Sequence, residues 1–274
     1  MPCMSVMTTV FVVYLAILVG LALWSRRETH TMAGYFIAGK KLPPWVVAFS
    51  TNATGESGWL LLGLTGMGYA VGAHAYWVVA GEVLGISAAW LLMSRRIKRM
   101  ADQSGALTVP DVLAARFDDR NHVLRRISTV IILIMVGAYV AAQMVAAGKA
   151  FSGFTDLSYT ASVLLGASII ILYTLVGGYK AVAWTDLIQG ILMTCVAVVL
   201  PIVGLIHVGG FGRLAEALQV RGDGFLSMSG GQAGSAFLFG VVVANLSWGL
   251  GYLGQPHLLT RYMACLLYTS DAAD

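Results

Sequence analysis

Ala48–Gly63 reads AFSTNATGESGWLLLG, and Ala244–Leu259 reads ANLSWGLGYLGQPHLL. Both lie in stretches otherwise apolar enough to cross a bilayer, and both are interrupted. The first gathers Ser50, Thr51, Asn52, Thr54, Gly55, Glu56, Ser57 and Gly58; the second gathers Asn245, Ser247, Gly249, Gly251, Gly254, Gln255 and Pro256. A span that only anchors needs nothing but Leu, Ile, Val and Phe. Backbone groups left unsatisfied in lipid are expensive, so a break in a spanning helix persists where it lines a cavity or binds something. Close helix packing through small residues is the blander explanation of the same composition. Five spans separate the starts of the two interrupted stretches, so the second begins a unit of opposite orientation. That is the pattern of an inverted repeat, in which the first helix of each half is broken near the midplane. The break offers carbonyls to a cation and a half-helix amino terminus to an anionic group.

Working outward, apolar stretches run near 6–24, 43–69, 75–94, 127–148, 159–179, 184–208 and 235–260. Each is long enough to cross about 30 Å of hydrocarbon at about 1.5 Å per residue. The chain has 274 residues, of which 58% are hydrophobic and 11% charged, against about 25% charged in a soluble domain. The reading is an all-α polytopic membrane protein. The first stretch has no basic residue before it, carries Arg26 and Arg27 after it, and lacks a small-residue cleavage pattern, so it reads as a retained span with its amino terminus outside. Of the 17 basic residues, 14 then fall on the inner side: Arg26, Arg27, Lys40, Lys41, the Arg95–Arg99 cluster, Arg116, Arg120, Arg125, Arg126, Lys180 and Arg261. The net charge of +4 is therefore a topology signal and not a nucleic-acid footprint. Between the third and fourth spans, Thr108, Pro110 and Asp111 mark the start of a short surface helix.

Three carboxylates lie within or at the edge of the hydrocarbon: Glu56, Glu82 and Asp186. A charge there needs a partner, a proton or water. Glu56 sits inside the first polar break and is the leading functional candidate. Glu82 stands alone in an apolar span, where a protonated acid bonded to one neighbour would suffice. Asp186 has Lys180 nearby and Gln189 on its face, and reads either as a helix-start cap or as a functional acid. Tyr139 and Gln143 share a helix face at i and i+4; Trp248, Tyr252 and Pro256 share another at i, i+4 and i+8. By depth Tyr139 and Tyr252 fall inside the membrane, where their hydroxyls need partners. Cys3, Cys195 and Cys265 are too scattered for a disulfide framework, and neither His74 nor His257 has a second ligand at metal spacing. No phosphate-binding P-loop, zinc-protease or serine-hydrolase motif occurs, so an ATP-driven pump or a common hydrolase has no sequence support here, and coupling to an ion gradient is the remaining energy source.

GYFIAGKKLP (Gly34–Pro43), SGWLLLGLTG (Ser57–Gly66), ALTVPDVLAARF (Ala106–Phe117), LVGGYKAVAWTDLIQ (Leu175–Gln189) and WGLGYLGQPHLLTRYMA (Trp248–Ala264) together resemble the amino-terminal half of the sodium:solute symporter family, nearest its bacterial proline-carrying branch. The resemblance covers about residues 8–264. It implies a thirteen-helix protein with a five-plus-five, leucine-transporter-like inverted-repeat core behind one extra amino-terminal helix, with residues 1–264 supplying the first half. It also implies sodium as the coupling ion, no cofactor, no metal beyond sodium, and a home in the bacterial cytoplasmic membrane. By the same resemblance the carbonyls of Ala53 and Glu56 ligate sodium. Ser57, Gly58, Trp59, Tyr139, Trp248, Tyr252 and Pro256 border a proline-like substrate, and Asp186 and Gly55 belong to the ion path or gate.

One departure stands out: the proline branch carries an aspartate where this chain has Gly55, and a methionine where it has Glu56. A shift of one position rotates a side chain about 100° on a regular helix, although an unwound segment lets Glu56 reach back. Another compact zwitterion or an organic anion thus remains open as substrate, and a proton as coupling ion. The last ten residues, Cys265–Asp274 (CLLYTSDAAD), are expected to be a non-native or truncated tail, leaving the Ser and Thr ligands of the eighth core helix beyond residue 264 and the fragment inactive. A second expectation is that such a module serves as the membrane sensor of a histidine kinase.

Overall fold

The computed structural model describes residues 2–155, 157–222 and 224–266, and among these there is no β-strand. In chain order the helices are α1 (Pro2–Ser25), α2 (Met32–Ile37), α3 (Pro44–Gly58), α4 (Thr65–Val71), α5 (Tyr76–Ala88), α6 (Arg95–Ser104), α7 (Val109–Arg116), α8 (Val123–Phe154), α9 (Tyr159–Val208), α10 (Phe211–Gln219), α11 (Ala244–Leu246) and α12 (Pro256–Ala264). Wider π-helical turns occupy Trp59–Leu64, Ala89–Ser94 and Ala236–Val243, and a tighter 3-10 stretch occupies Ser247–Leu253. Such irregular turns inside helices often mark functional sites.

Five helical stretches among the described residues are long and apolar enough to cross a membrane: Thr9–Glu28, Leu62–Ser104, Val123–Gly153, Tyr159–Val208 and Ala236–Leu253. The chain is a multi-pass, all-α membrane protein. Seven stretches were expected, and the difference has two physical origins. The expected spans 159–179 and 184–208 lie within the single 50-residue α9, whose length of about 75 Å is more than two bilayer crossings. Helical geometry is interrupted in it at Gly178 (φ 58°, ψ −161°). The expected span 43–69 is divided at Ser57 (φ 45°, ψ −148°), so no single regular helix covers it. Large apolar side chains remain exposed along the long helices, as with Leu133 at 67% and Leu200 at 64%. In water that surface would be untenable; in acyl chains it is the solvated face.

Two compact units emerge. One comprises the residues up to Ala53, Ile97–Gln189, and those from Thr260 onward; the other comprises Thr54–Arg96 and Gly190–Leu259. Inside the first, Gly178 takes the positive φ that only glycine adopts without strain, and a Cβ there would sit 3.0 Å from the Tyr35 carbonyl oxygen. Leu42 forms an isolated bridge with Cys265: its N–H donates to the Ala264 oxygen (3.2 Å), and it accepts from the Leu266 N–H (2.8 Å). Of the expected tail 265–274, residues 267–274 lie outside the described residues. The short surface helix is α7, opened by a reciprocal cap in which Asp111 N–H donates to Thr108 Oγ1 (3.3 Å) and Thr108 N–H to Asp111 Oδ2 (3.1 Å). Asp119 then caps α8, accepting from the N–H groups of Val123 (3.0 Å) and Arg125 (2.9 Å). These bonds, that from Arg125 foremost, hold its carboxyl below the ordinary aspartate range.

Inside the second unit, α5 lies directly against the stretch that follows α11. A Cβ on Gly85 would fall 2.1 Å from the Gly249 oxygen, and one on Gly249 would fall 2.0 Å from the Gly81 oxygen. Only backbones without side chains approach this closely, which is the role small residues play between helices in lipid.

Candidate functional site

Both interrupted stretches identified in the sequence contribute to the second unit. Ser57 is the hinge of the first. It is not a glycine, yet it holds a positive φ with ψ near −148°, a region L-residues populate at a cost of about 1–3 kcal/mol and chiefly at ligand clamps and switches. Immediately beyond it the wide turn begins at Trp59. The Trp59 indole N–H donates to Glu82 Oε1 at 2.7 Å, and its ring stacks on Trp248 with centroids 4.4 Å apart and planes inclined by 17°. Gly55 lies against Tyr252: a Cβ at residue 55 would stand 3.0 Å from Tyr252 Cε1. Tyr252 is buried, whereas Trp248 is about half exposed. Asn245, also buried, donates from Nδ2 to the Val241 oxygen at 2.6 Å, so its amide props the helix in front of the 3-10 stretch.

Of the side chains expected to border substrate, Trp59 is therefore in direct contact with Trp248, and the expected gate residue Gly55 is in direct contact with Tyr252. Ser57, Gly58 and Pro256 belong to the same unit, half-buried. Tyr139, on α8, belongs to the other unit, as does Ala53. Glu56 follows directly on the Gly55 contact and precedes the hinge; it too is half-buried. Glu82 is the residue whose connection the sequence does not reveal. It was legible as an isolated acid needing one neighbour, and the neighbour is Trp59, one of the expected substrate residues.

The first unit holds a different cluster. Asp186 is not a helix-start cap, because it lies eight residues beyond the Gly178 kink, well inside α9. Nor is Lys180 its partner, since Lys180 Nζ pairs with Glu28 Oε1 at 2.5 Å. Asp186 instead accepts from Arg261 Nη2 (2.6 Å) and from Ser50 Oγ (2.6 Å), while Arg261 Nε donates to the same Ser50 hydroxyl (2.8 Å). All three residues are buried, and the Arg261 guanidinium lies 6.0 Å from the centre of the Tyr179 ring. Gln189, on the same helix, donates to the Tyr14 hydroxyl. Arg261 was counted in the sequence only as an inner basic residue. The signal that could have singled it out is its place in the apolar run LLTRYM (Leu258–Met263), where a cation needs a carboxylate. Among the described residues no group of three or more His, Cys, Asp or Glu side chains gathers at metal-binding distance.

The strained backbone at Ser57, the stacked indoles and the buried tyrosine thus belong to the same unit. The pattern of the sodium:solute symporter family matches residues 35–272. The chain is 36% identical over 261 residues to the sodium/proline symporter of Escherichia coli (strain K12), covering 94% of this chain and 51% of the relative. It is 36% identical over 240 residues to the high-affinity proline transporter PutP of Bacillus subtilis (strain 168), covering 87% and 50%. With the sodium/proline symporter of Staphylococcus aureus it shares 33% over 253 residues, covering 92% and 48%. The chain thus spans about half the length of the curated relatives it matches. No solved structure matches it. With the family pattern covering most of its length, the chain belongs to the sodium:solute symporter family.

Proposed function

We propose that the full-length protein carries proline, or a similarly compact amino acid, together with sodium across the bacterial cytoplasmic membrane by alternating access. The observation that carries the reading is the non-glycine hinge at Ser57, with Trp59, Trp248, Gly55 and Tyr252 gathered around it in one unit. A break in a helix leaves main-chain groups without intrahelical partners on both sides. On the amino-terminal side these are carbonyls, suited to a hard cation, with Ala53 and Glu56 the proposed sodium ligands. Beyond the break a new helical segment starts, where the Trp59 N–H donates to the Ser57 hydroxyl (3.5 Å), and the positive end of that segment suits a carboxylate at the proposed border residues Gly58 and Trp59. The Trp248 and Tyr252 rings supply the apolar wall for a pyrrolidine-sized body, with Ser57 and Pro256 at its border.

In this mechanism sodium occupancy favours the state whose substrate site is open outward, and substrate favours closure, each ligand acting through its differential affinity for the two states. Asp186 is the proposed inner acid on the ion path. Its carboxylate is held by Arg261 and Ser50 in this structure, so sodium passing it must displace or share the guanidinium. The amino terminus lies outside, as the distribution of basic residues supports. Residues 1–264 hold the leading helix, one repeat and the first helix of the second, and the remaining sodium ligands come from the rest of the second repeat in the full-length protein, so this stretch alone is expected not to transport. The test is uptake of labelled proline into cells or proteoliposomes containing the full-length protein. Accumulation that collapses when choline replaces sodium supports the reading; accumulation unchanged in choline overturns it.

A further inference from the structure

At the carboxyl end of α1 the chain leaves the apolar run at Trp24, turns through Arg26 to Glu28, and re-enters at Trp45 near the start of α3. Between these points lies a cleft of about 650 Å³, walled by Trp24, Arg27, His30, Lys41, Lys180 and Trp184. Its depth in the membrane is marked by aromatics. Trp24 and Trp45 are each about half exposed, and both meet Trp184 edge-on with ring centroids 5.6 Å apart. Tryptophans at the two ends of apolar stretches settle at headgroup level.

The charge of the walls is one-sided. The carboxylate in the cleft, that of Glu28, is consumed by Lys180, whose ammonium also lies 4.0 Å over the Trp24 ring. Arg27 and Lys41 are exposed and have no carboxylate partner among the described residues. The backbone delivering Lys41 is strained: Ala38, Gly39 and Lys40 take φ values of 50°, 61° and 60° in succession. Two non-glycine residues in that region persist only when their surroundings fix them, and such sites cluster at ligand clamps. Lys40 is fixed from behind, bonded to the Ala101 oxygen (2.8 Å) and paired with Asp102 (3.1 Å). The neighbouring Lys41 is left for the cleft.

We propose that this cleft binds the phosphate of an anionic membrane phospholipid. Arg27 supplies the planar fork that matches phosphate oxygens, and Lys41 supplies a second positive charge. The indoles of Trp24 and Trp184 border the glycerol and first acyl carbons, and the net positive wall disfavours the cationic head of a zwitterionic lipid. The inference is independent of the transported substrate and needs only that α1 and α3 stand in the bilayer.

The test uses the full-length protein, delipidated and then titrated with phosphatidylglycerol or phosphatidylcholine, with bound lipid counted by native mass spectrometry. Phosphatidylglycerol is expected to bind and phosphatidylcholine not. The double variant Arg27→Gln/Lys41→Gln is expected to bind phosphatidylglycerol about 30-fold more weakly, and Arg95→Gln/Arg96→Gln, outside the cleft, as tightly as the unaltered protein. Equal retention of the two lipids, or unchanged binding by the cleft variant, overturns the proposal. So does inorganic phosphate that binds the delipidated protein and displaces phosphatidylglycerol at equal concentration, since the site then serves a soluble phosphate. If the cleft variant fails to fold, the lipid comparison and the phosphate competition on the unaltered protein still decide.

Discussion

Ser57 pays backbone strain that glycine would not, which makes the hinge testable at a single atom. Replacing it with glycine is expected to leave thermal stability unchanged or raised, whereas Ser57→Val, β-branched at a positive φ, is expected to lower stability by about 1–3 kcal/mol. Thermal unfolding of the purified protein in detergent reads both. Gly55 makes a finer point. A Cβ there meets Tyr252 at 3.0 Å, so Gly55→Ala is expected to push the ring off its seat and weaken proline binding several-fold while the fold survives. Binding unchanged in that variant would remove the Gly55 and Tyr252 contact from the site. Arg261 and Asp186 form a buried pair, and breaking it from one side strands a charge. Arg261→Gln is expected to cost about 3–5 kcal/mol, and adding Asp186→Asn to restore part of it, because the second change removes the uncompensated carboxylate. A pair of losses that simply add would show that the two groups are not coupled.

Among the elements, the contact of α5 with the 3-10 stretch after α11 depends on three glycines in register. Gly249→Ala inserts a methyl where the Gly81 oxygen already stands 2.0 Å away, an overpacking expected to cost about 1–3 kcal/mol or to prevent folding. Helix α8 begins under the Asp119 cap, whose carboxyl titrates below its ordinary range. A lowered folded pKa means that the cap is fully present above the ordinary aspartate value and is lost as pH falls through the lower one. Amide exchange at Val123 to Arg125 is therefore expected to rise only on the acid side, below about pH 4. Protection of these amides that is unchanged down to pH 2 would argue against the cap. The same elements show what the sequence could reveal. Thr108, Pro110 and Asp111 announce α7 because capping is local chemistry. The two spans expected over α9 appear as one helix interrupted at Gly178, where helical bonding continues on either side, and glycine alone does not announce a positive φ.

For the whole molecule, composition alone separates a membrane chain from a soluble one, since the exposed leucines and valines of α8 and α9 have no other solvent. The two broken stretches were legible for the same reason: polar residues at depth are costly and so must be placed for a purpose. Partnerships between distant residues were not legible. Nothing in the spacing joins Ser50 and Asp186 to Arg261, or Glu82 to Trp59, because these contacts arise from tertiary packing across separations of 211, 136 and 23 positions. The family resemblance implies roles for Tyr252 and Trp248; the neighbours the structure gives them, Gly55 and Trp59, could not be read from spacing.

The hinge at Ser57 is proposed to hold sodium and a small amino acid together. Its most direct test is equilibrium binding of labelled proline to the purified full-length protein, titrated with sodium at constant ionic strength in choline. Proline affinity is expected to rise at least tenfold with sodium, and Tyr252→Ala is expected to abolish binding while the protein stays folded. Proline affinity independent of sodium, or retained in full by Tyr252→Ala, would contradict it.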